Sequence, residues 1–192
     1  MKRNILIGFV LLIVMYSCQK KEKVNIKTIA SSNIVGDFDS NKYPKIQTAI
    51  ELGYAERREE AIDKFNEAEN EYGQSVIIAL NRGIIFKELG DYDLAIKDYT
   101  LCLKINPNYY PALINRGILN GNLENFDKAI KDLNKAIELN SEYPIGYLNR
   151  AFIYSKMNNR ELACKDLLKA KQKDIEKKFE KDIEELEQEN CE

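Results

Sequence analysis

Three short polar series recur along this chain at one interval, and they are its first candidates for chemistry. Arg82, Arg116 and Arg150 stand 34 residues apart, and so do Asp98, Asp132 and Asp166. Guanidiniums and carboxylates in equal number make a ladder of charge-assisted hydrogen bonds; arginines left unpaired would instead grip an anionic ligand. Each arginine here has an aspartate within reach, so the structural ladder is the expected use. Asn81, Asn115 and Asn149 immediately precede the three arginines. A carboxamide offers a donor and an acceptor together, which suits an extended main chain of a partner, or a bond spent inside the chain itself.

Other chemistries lack their parts. The sequence has no histidine, which removes the commonest general base, the Ser-His and Cys-His pairs, and the commonest metal ligand. No zinc-helix motif, C-x-x-C pair or glycine-rich phosphate loop is present. The expectation is a protein that is not an enzyme and uses no metal or cofactor. Net charge is −2, with basic residues interleaved among acidic ones, so nucleic acid finds no clustered basic patch. With 4 prolines and 9 glycines in 192 residues, the composition suits helices better than a turn-rich β fold.

The first residues read as a leader. Lys2 and Arg3 precede an apolar run from Ile5 to Met15, broken only by Gly8. That is the length of a signal-peptide core and short of the roughly 20 residues a spanning helix needs. Met15-Tyr16-Ser17-Cys18 resembles the lipobox of bacterial lipoproteins, in which the cysteine is acylated and becomes the mature N-terminus; Met15 and Tyr16 depart from the usual Leu-Ala or Leu-Ser. The resemblance implies a signal peptide over 1–17, lipidation at Cys18, and an exported lipoprotein anchored in the cell envelope, facing the periplasm or the outside. An uncleaved anchor helix with an incidental cysteine is the alternative. Residues 18–41 read as a polar tether, with Ile26, Ile29 and Ile34-Val35 able to pack as a short extended piece.

The apolar residues around these polar series keep the same period. Ala61, Ala95, Ala129 and Ala163 recur at 34, each followed four residues on by Phe65, Tyr99, Leu133 or Leu167, and three further by Ala68, Cys102, Ala136 or Ala170. Positions i, i+4 and i+7 share a helix face: the small residue admits a neighbouring helix and the large one fills the space beside it. Gly83 and Gly117 recur likewise, with Ala151 at the next place. Gly90 and the asparagines of Leu123-Glu124-Asn125-Phe126 and Met157-Asn158-Asn159-Arg160 are candidate left-handed helix ends. Pro107 is expected to stop one helix and start the next.

This pattern resembles the tetratricopeptide repeat, two antiparallel helices per 34 residues. The implied fold is an all-α helical-hairpin solenoid over 42–175, with repeats at about 42–75 (degraded), 76–109, 110–143 and 144–175. Residues 176–192 are expected as a C-terminal cap helix: the charged segment from Lys171 to Glu189 carries a narrow stripe, Ile175, Phe179, Ile183 and Leu186, suited to cover the last repeat. The resemblance places Asn81, Asn115 and Asn149 on the concave face, with Ile84, Lys87, Ile118, Asn122, Phe152 and Lys156 as groove neighbours, and Leu80, Ile114 and Leu148 beside them. The family's carboxylate clamp would use Asn115 and Lys87, but Ile or Leu fills its other basic positions, so that ligand is not expected.

Cys102 reads as a buried small residue. In an oxidising compartment Cys164 and Cys191 would pair and staple the cap to the last repeat, a closure worth roughly 3 kcal/mol in the chain-entropy account; two free thiols are the other reading. The expected function is a protein-interaction module of the cell envelope, binding a peptide or helix of a protein partner in the groove. It touches the membrane only through its lipid. The alternatives are an assembly lipoprotein self-associating through its C-terminal helix, as a homo-oligomer, and a carbohydrate binder using Tyr109, Tyr110 and Tyr147.

Overall fold

In the computed structural model, residues 42–174 and 179–191 are described. The expected signal peptide, Cys18, the tether to residue 41, Ile175 and parts of the cap (176–178 and 192) lie outside the described residues. The described elements are α-helical: α1 (Pro44–Tyr54), α2 (Arg58–Tyr72), α3 (Val76–Leu89), α4 (Tyr92–Ile105), α5 (Tyr110–Asn122), α6 (Phe126–Leu139), α7 (Pro144–Lys156), α8 (Arg160–Lys173) and α9 (Glu180–Asn190).

Helix ends follow their local chemistry. The Ser75 hydroxyl accepts from Ile77 N and opens α3, the Asn159 side chain accepts from Leu162 N and opens α8, and Pro44, Pro111 and Pro144 sit in first turns, where a missing N–H costs nothing. Pro107 lies in the turn between Ile105 and Tyr110 rather than opening α5 itself.

Each hairpin turn uses one conformation. Glu56, Gly90, Glu124 and Asn158 have φ of 60°, 87°, 62° and 57°, again one position per 34 residues. The N–H of the next residue donates back across each turn, as Asp91 N to Phe86 O (2.9 Å) and Asn125 N to Asn120 O (2.8 Å) do. This is the Schellman closure, which demands a left-handed residue. Gly90 and Asn158 suit it. In the third repeat the left-handed residue is Glu124, not Asn125, which instead precedes α6 with φ −80°. Packing of the hairpin on both sides dictates the turn, and the residue at hand conforms.

Packing explains the small–large–small code. Ala61, Ala95, Ala129 and Ala163, with Phe65, Tyr99, Leu133 and Leu167 and with Ala68, Cys102, Ala136 and Ala170, are all 0% exposed. Burying each large member contributes about 1.5–3 kcal/mol. A Cβ on Gly83 would come within 2.9 Å of the Tyr99 ring, and one on Gly117 within 3.0 Å of Leu133, so the glycines admit the large side chain of the partner helix. The Cys102 thiol donates to Val76 O (3.4 Å), and burial pushes its pKa up to about 12, leaving it an unreactive thiol.

Each odd-numbered helix from α1 to α7 packs most extensively on the even helix that follows it. Odd helices also touch the next odd helix, forming a row α1–α3–α5–α7–α9, whereas among the described residues no two even helices pack comparably. The odd helices are thus the inner, concave row. The cap helix α9 joins that row, lying on α8 and α7 with Phe179, Ile183 and Leu186 against Leu148, Leu167 and Ala170. It is fastened by Lys171–Glu187 (2.7 Å), by Phe179 N donating to Asp174 (2.7 Å), and by a disulfide between Cys164 and Cys191.

Candidate binding groove and arginine ladder

The arginines and aspartates meet within each repeat. Arg82 donates to Asp98 through Nε and Nη2, both at 2.8 Å; Arg116 does the same to Asp132 at 2.8 Å, and Arg150 to Asp166 at 2.6 and 2.7 Å. Both carboxylate oxygens are used each time, the strong geometry for this pair. The aspartate side chains are 6–7% exposed, while the arginines differ: 9% for Arg82, 23% for Arg116 and 19% for Arg150. Hydrogen bonding to Asp98, then to Glu69, raises the pKa of Arg82, and bonding to Asp166 raises that of Arg150.

A third rung was not read from the sequence. Each Nη1 reaches back to the preceding repeat's second helix: Arg82 to Asn66 (2.8 Å) and Glu69 (2.7 Å), Arg116 to Thr100 (3.0 Å), Arg150 to Asn134 (2.6 Å). Asn66, Thr100 and Asn134 are themselves spaced by 34; that interval was the available signal. Each arginine therefore ties two successive outer helices to the inner one between them. These groups are engaged with one another, not presented to an anion.

The asparagines do not share one environment. Asn81 Nδ2 donates to Ile77 O and Asn115 Nδ2 to Pro111 O, both 2.8 Å and one turn back, with both residues half-buried. Asn149 is 1% exposed, and neither of its amide atoms has a partner. The expectation of a ligand-facing amide does not hold there, because the side chain is enclosed. Of the groove neighbours, Ile84, Ile118 and Phe152 recur at 34 and remain half-buried, while Leu80, Ile114 and Leu148 are core. Lys87 is half-buried; Lys156 lies over the Phe152 ring at 5.7 Å and donates to Gly121 O at 3.3 Å, and Asn122 Oδ1 is buried without a partner.

The tyrosines are not an open platform. Tyr109 is buried, Tyr110 sits edge-on to Tyr143 with its hydroxyl buried, and Tyr147 lies against the Arg150 guanidinium. The apolar stripe of α9 faces α7 and α8, so its described members are not exposed for self-association.

A cleft of about 680 Å³ lies among the end of α4, α5 and α6, lined by Leu103, Leu113 and Ile130 together with Arg116 and Asp132. Leu103 stands where Glu69 closes over Arg82, and Leu113 where Tyr147 flanks Arg150, so the third repeat lacks both covers. This explains the greater exposure of Arg116.

Among the described residues, no helix is long and apolar enough to cross a membrane. Two tetratricopeptide repeat models match the chain, one over residues 78–109 and 110–143, the other over 146–172. No curated protein matches. Solved structures do. A tetratricopeptide repeat protein from Parabacteroides merdae superposes with a TM-score of 0.68 at 21% identity, covering 78% of this chain, which spans 62% of that one. The TPR2B domain of yeast Sti1, solved as a complex with pHsp70, gives 0.58 at 26% identity over 60% of this chain and 95% of that one. MamA from Desulfovibrio magneticus RS-1 gives 0.65 at 17% identity over 70% and 76%. Residues 78–143 and 146–172 therefore match tetratricopeptide repeats, and the described helices stack as a solenoid of helical hairpins.

Proposed function

We propose that this chain is a protein-interaction module whose inner helical row takes a peptide or helix of a protein partner. The observation that carries this reading is the row itself: Ile84, Ile118 and Phe152 at one register, half-buried, beside half-buried Asn81, Asn115 and Lys87. Apolar surface left half-exposed on successive helices is affinity in reserve, and the Oδ1 atoms of Asn81 and Asn115, whose Nδ2 atoms are engaged, can accept from a partner's main chain. That the Sti1 domain was solved with pHsp70 supports a protein ligand for this fold. Replacing Asn81, Asn115 and Phe152 together by alanine should weaken capture of the native partner, identified by crosslinking, at least tenfold while leaving the helical melt nearly unchanged. Undiminished capture would rule out the inner face.

We further propose that the module works outside the cytoplasm, held by lipid on Cys18. The basic start, apolar run and Ser17-Cys18 pair support this, as does a cysteine pair placed to bridge. Mass spectrometry of the membrane fraction should find the mature chain beginning at an acylated Cys18; an unmodified Cys18 there refutes it.

A further inference from the structure

The end of the inner row is closed by a helix that resembles the rest of the stack poorly. In α9, six side chains are acidic and Lys181 is the single base, a net of −5; in α8 five basic residues face two acidic ones, a net of +3. The apolar contact of α9 rests on three residues, Phe179, Ile183 and Leu186. An isolated helix of 11 residues has little stability of its own. What holds it besides these contacts is the Lys171–Glu187 pair, the Phe179 N bond to Asp174, and the covalent bond from Cys191, just past its end, to Cys164 on α8, across a sequence separation of 27. Cys191 is exposed and Cys164 half-buried.

We propose that the Cys164–Cys191 disulfide is a reducible latch on the concave end of the solenoid. A dithiol reductant supplies the two electrons. Its thiolate attacks Cys191 Sγ, the S–S bond breaks, and Cys164 leaves as a thiolate that takes a proton. The second thiol of the reductant then displaces Cys191 as a thiol, and the reductant departs as a disulfide. Without the bridge, α9 is held by its short apolar stripe, by the Phe179 N–Asp174 bond and by charge attraction to α8, and its departure uncovers Leu148, Leu167 and Ala170 at the end of the stack. The oxidised chain thus presents an inner row that ends at α9, and the reduced chain one that ends at α7 with a bare apolar end. That last consequence rests on the inner-face reading above; the latch does not.

Hydrogen exchange on the full chain tests it, with dithiothreitol as the reductant. In the untreated protein the α9 amides should exchange nearly as slowly as those of α8. Reduction, or Cys191→Ser without reductant, should accelerate α9 exchange by roughly two orders of magnitude, the scale of the lost loop closure. The α3–α6 amides should be unchanged. High salt should accelerate α9 exchange in the reduced chain more than in the oxidised one, since it screens the α8–α9 attraction. Equal α9 protection in oxidised, reduced and Cys191→Ser protein would overturn the proposal, as would two free thiols at these positions in the untreated chain. Neither result touches the inner-face reading, which stands or falls on capture by the Asn81, Asn115 and Phe152 variant.

Discussion

Breaking one rung of the ladder from its two ends should give unequal losses. Arg116 and Asp132 share two hydrogen bonds of 2.8 Å, but Asp132 is 7% exposed and Arg116 23%. Asp132→Ala leaves a guanidinium that lines the cleft, still bonded to Thr100 and able to turn to water; the loss should be about 1–2 kcal/mol. Arg116→Met leaves a carboxylate buried beneath α5 with its partner gone, a loss of about 3–5 kcal/mol. Replacing both, as Arg116→Met with Asp132→Leu, removes the stranded charge and should return stability to within about 1 kcal/mol of the parent. For a domain this size these values correspond to melting points lowered by about 2–8 °C, about 6–20 °C, and little. Thermal melts by circular dichroism, with urea titrations to check that m is unchanged, measure all three. If Asp132→Ala costs as much as Arg116→Met, or the double change costs as much as Arg116→Met alone, the assignment of the energy to a buried unpaired carboxylate is wrong.

Two further outcomes follow from the same geometry. Glu124 holds φ 62° at a turn position that Gly90 fills one repeat earlier; Glu124→Gly should raise stability by about 0.5–1 kcal/mol, the left-handed strain relieved exceeding the unfolded-state entropy gained, as urea titration would read. Asp182 on α9 has its pKa pushed up to about 6 by burial first and by the Glu185 carboxylate next, with Lys181 opposing. The folded chain therefore holds this proton where the unfolded chain has released it, so stability falls as pH rises from about 4 to 6 and levels off above. Asp182→Asn should remove that slope and, after allowance for solvent screening, stabilise the chain at neutral pH by on the order of 1 kcal/mol. Melts across that pH range, with and without the substitution, decide it.

The period of 34 was legible because helix packing repeats a chemical demand at fixed places. A small residue must stand where two helices approach, a large one four residues later, and a glycine where the Tyr99 ring presses in; no other spacing satisfies stacked hairpins of this length. The same regularity made the arginine–aspartate ladder readable, since charges on facing helices inherit the period. What the chain alone did not disclose depends on neighbours that differ from repeat to repeat. Asn81, Asn115 and Asn149 are identical in the sequence, but the last is 1% exposed where the first two are half-buried. Arg116 opens onto a cleft because Leu103 and Leu113 replace the groups that cover its counterparts. Local pattern determines which helices form and which faces they bury; the exposure of a given polar atom is decided by side chains from distant parts of the chain, and those meet only when the stack is assembled.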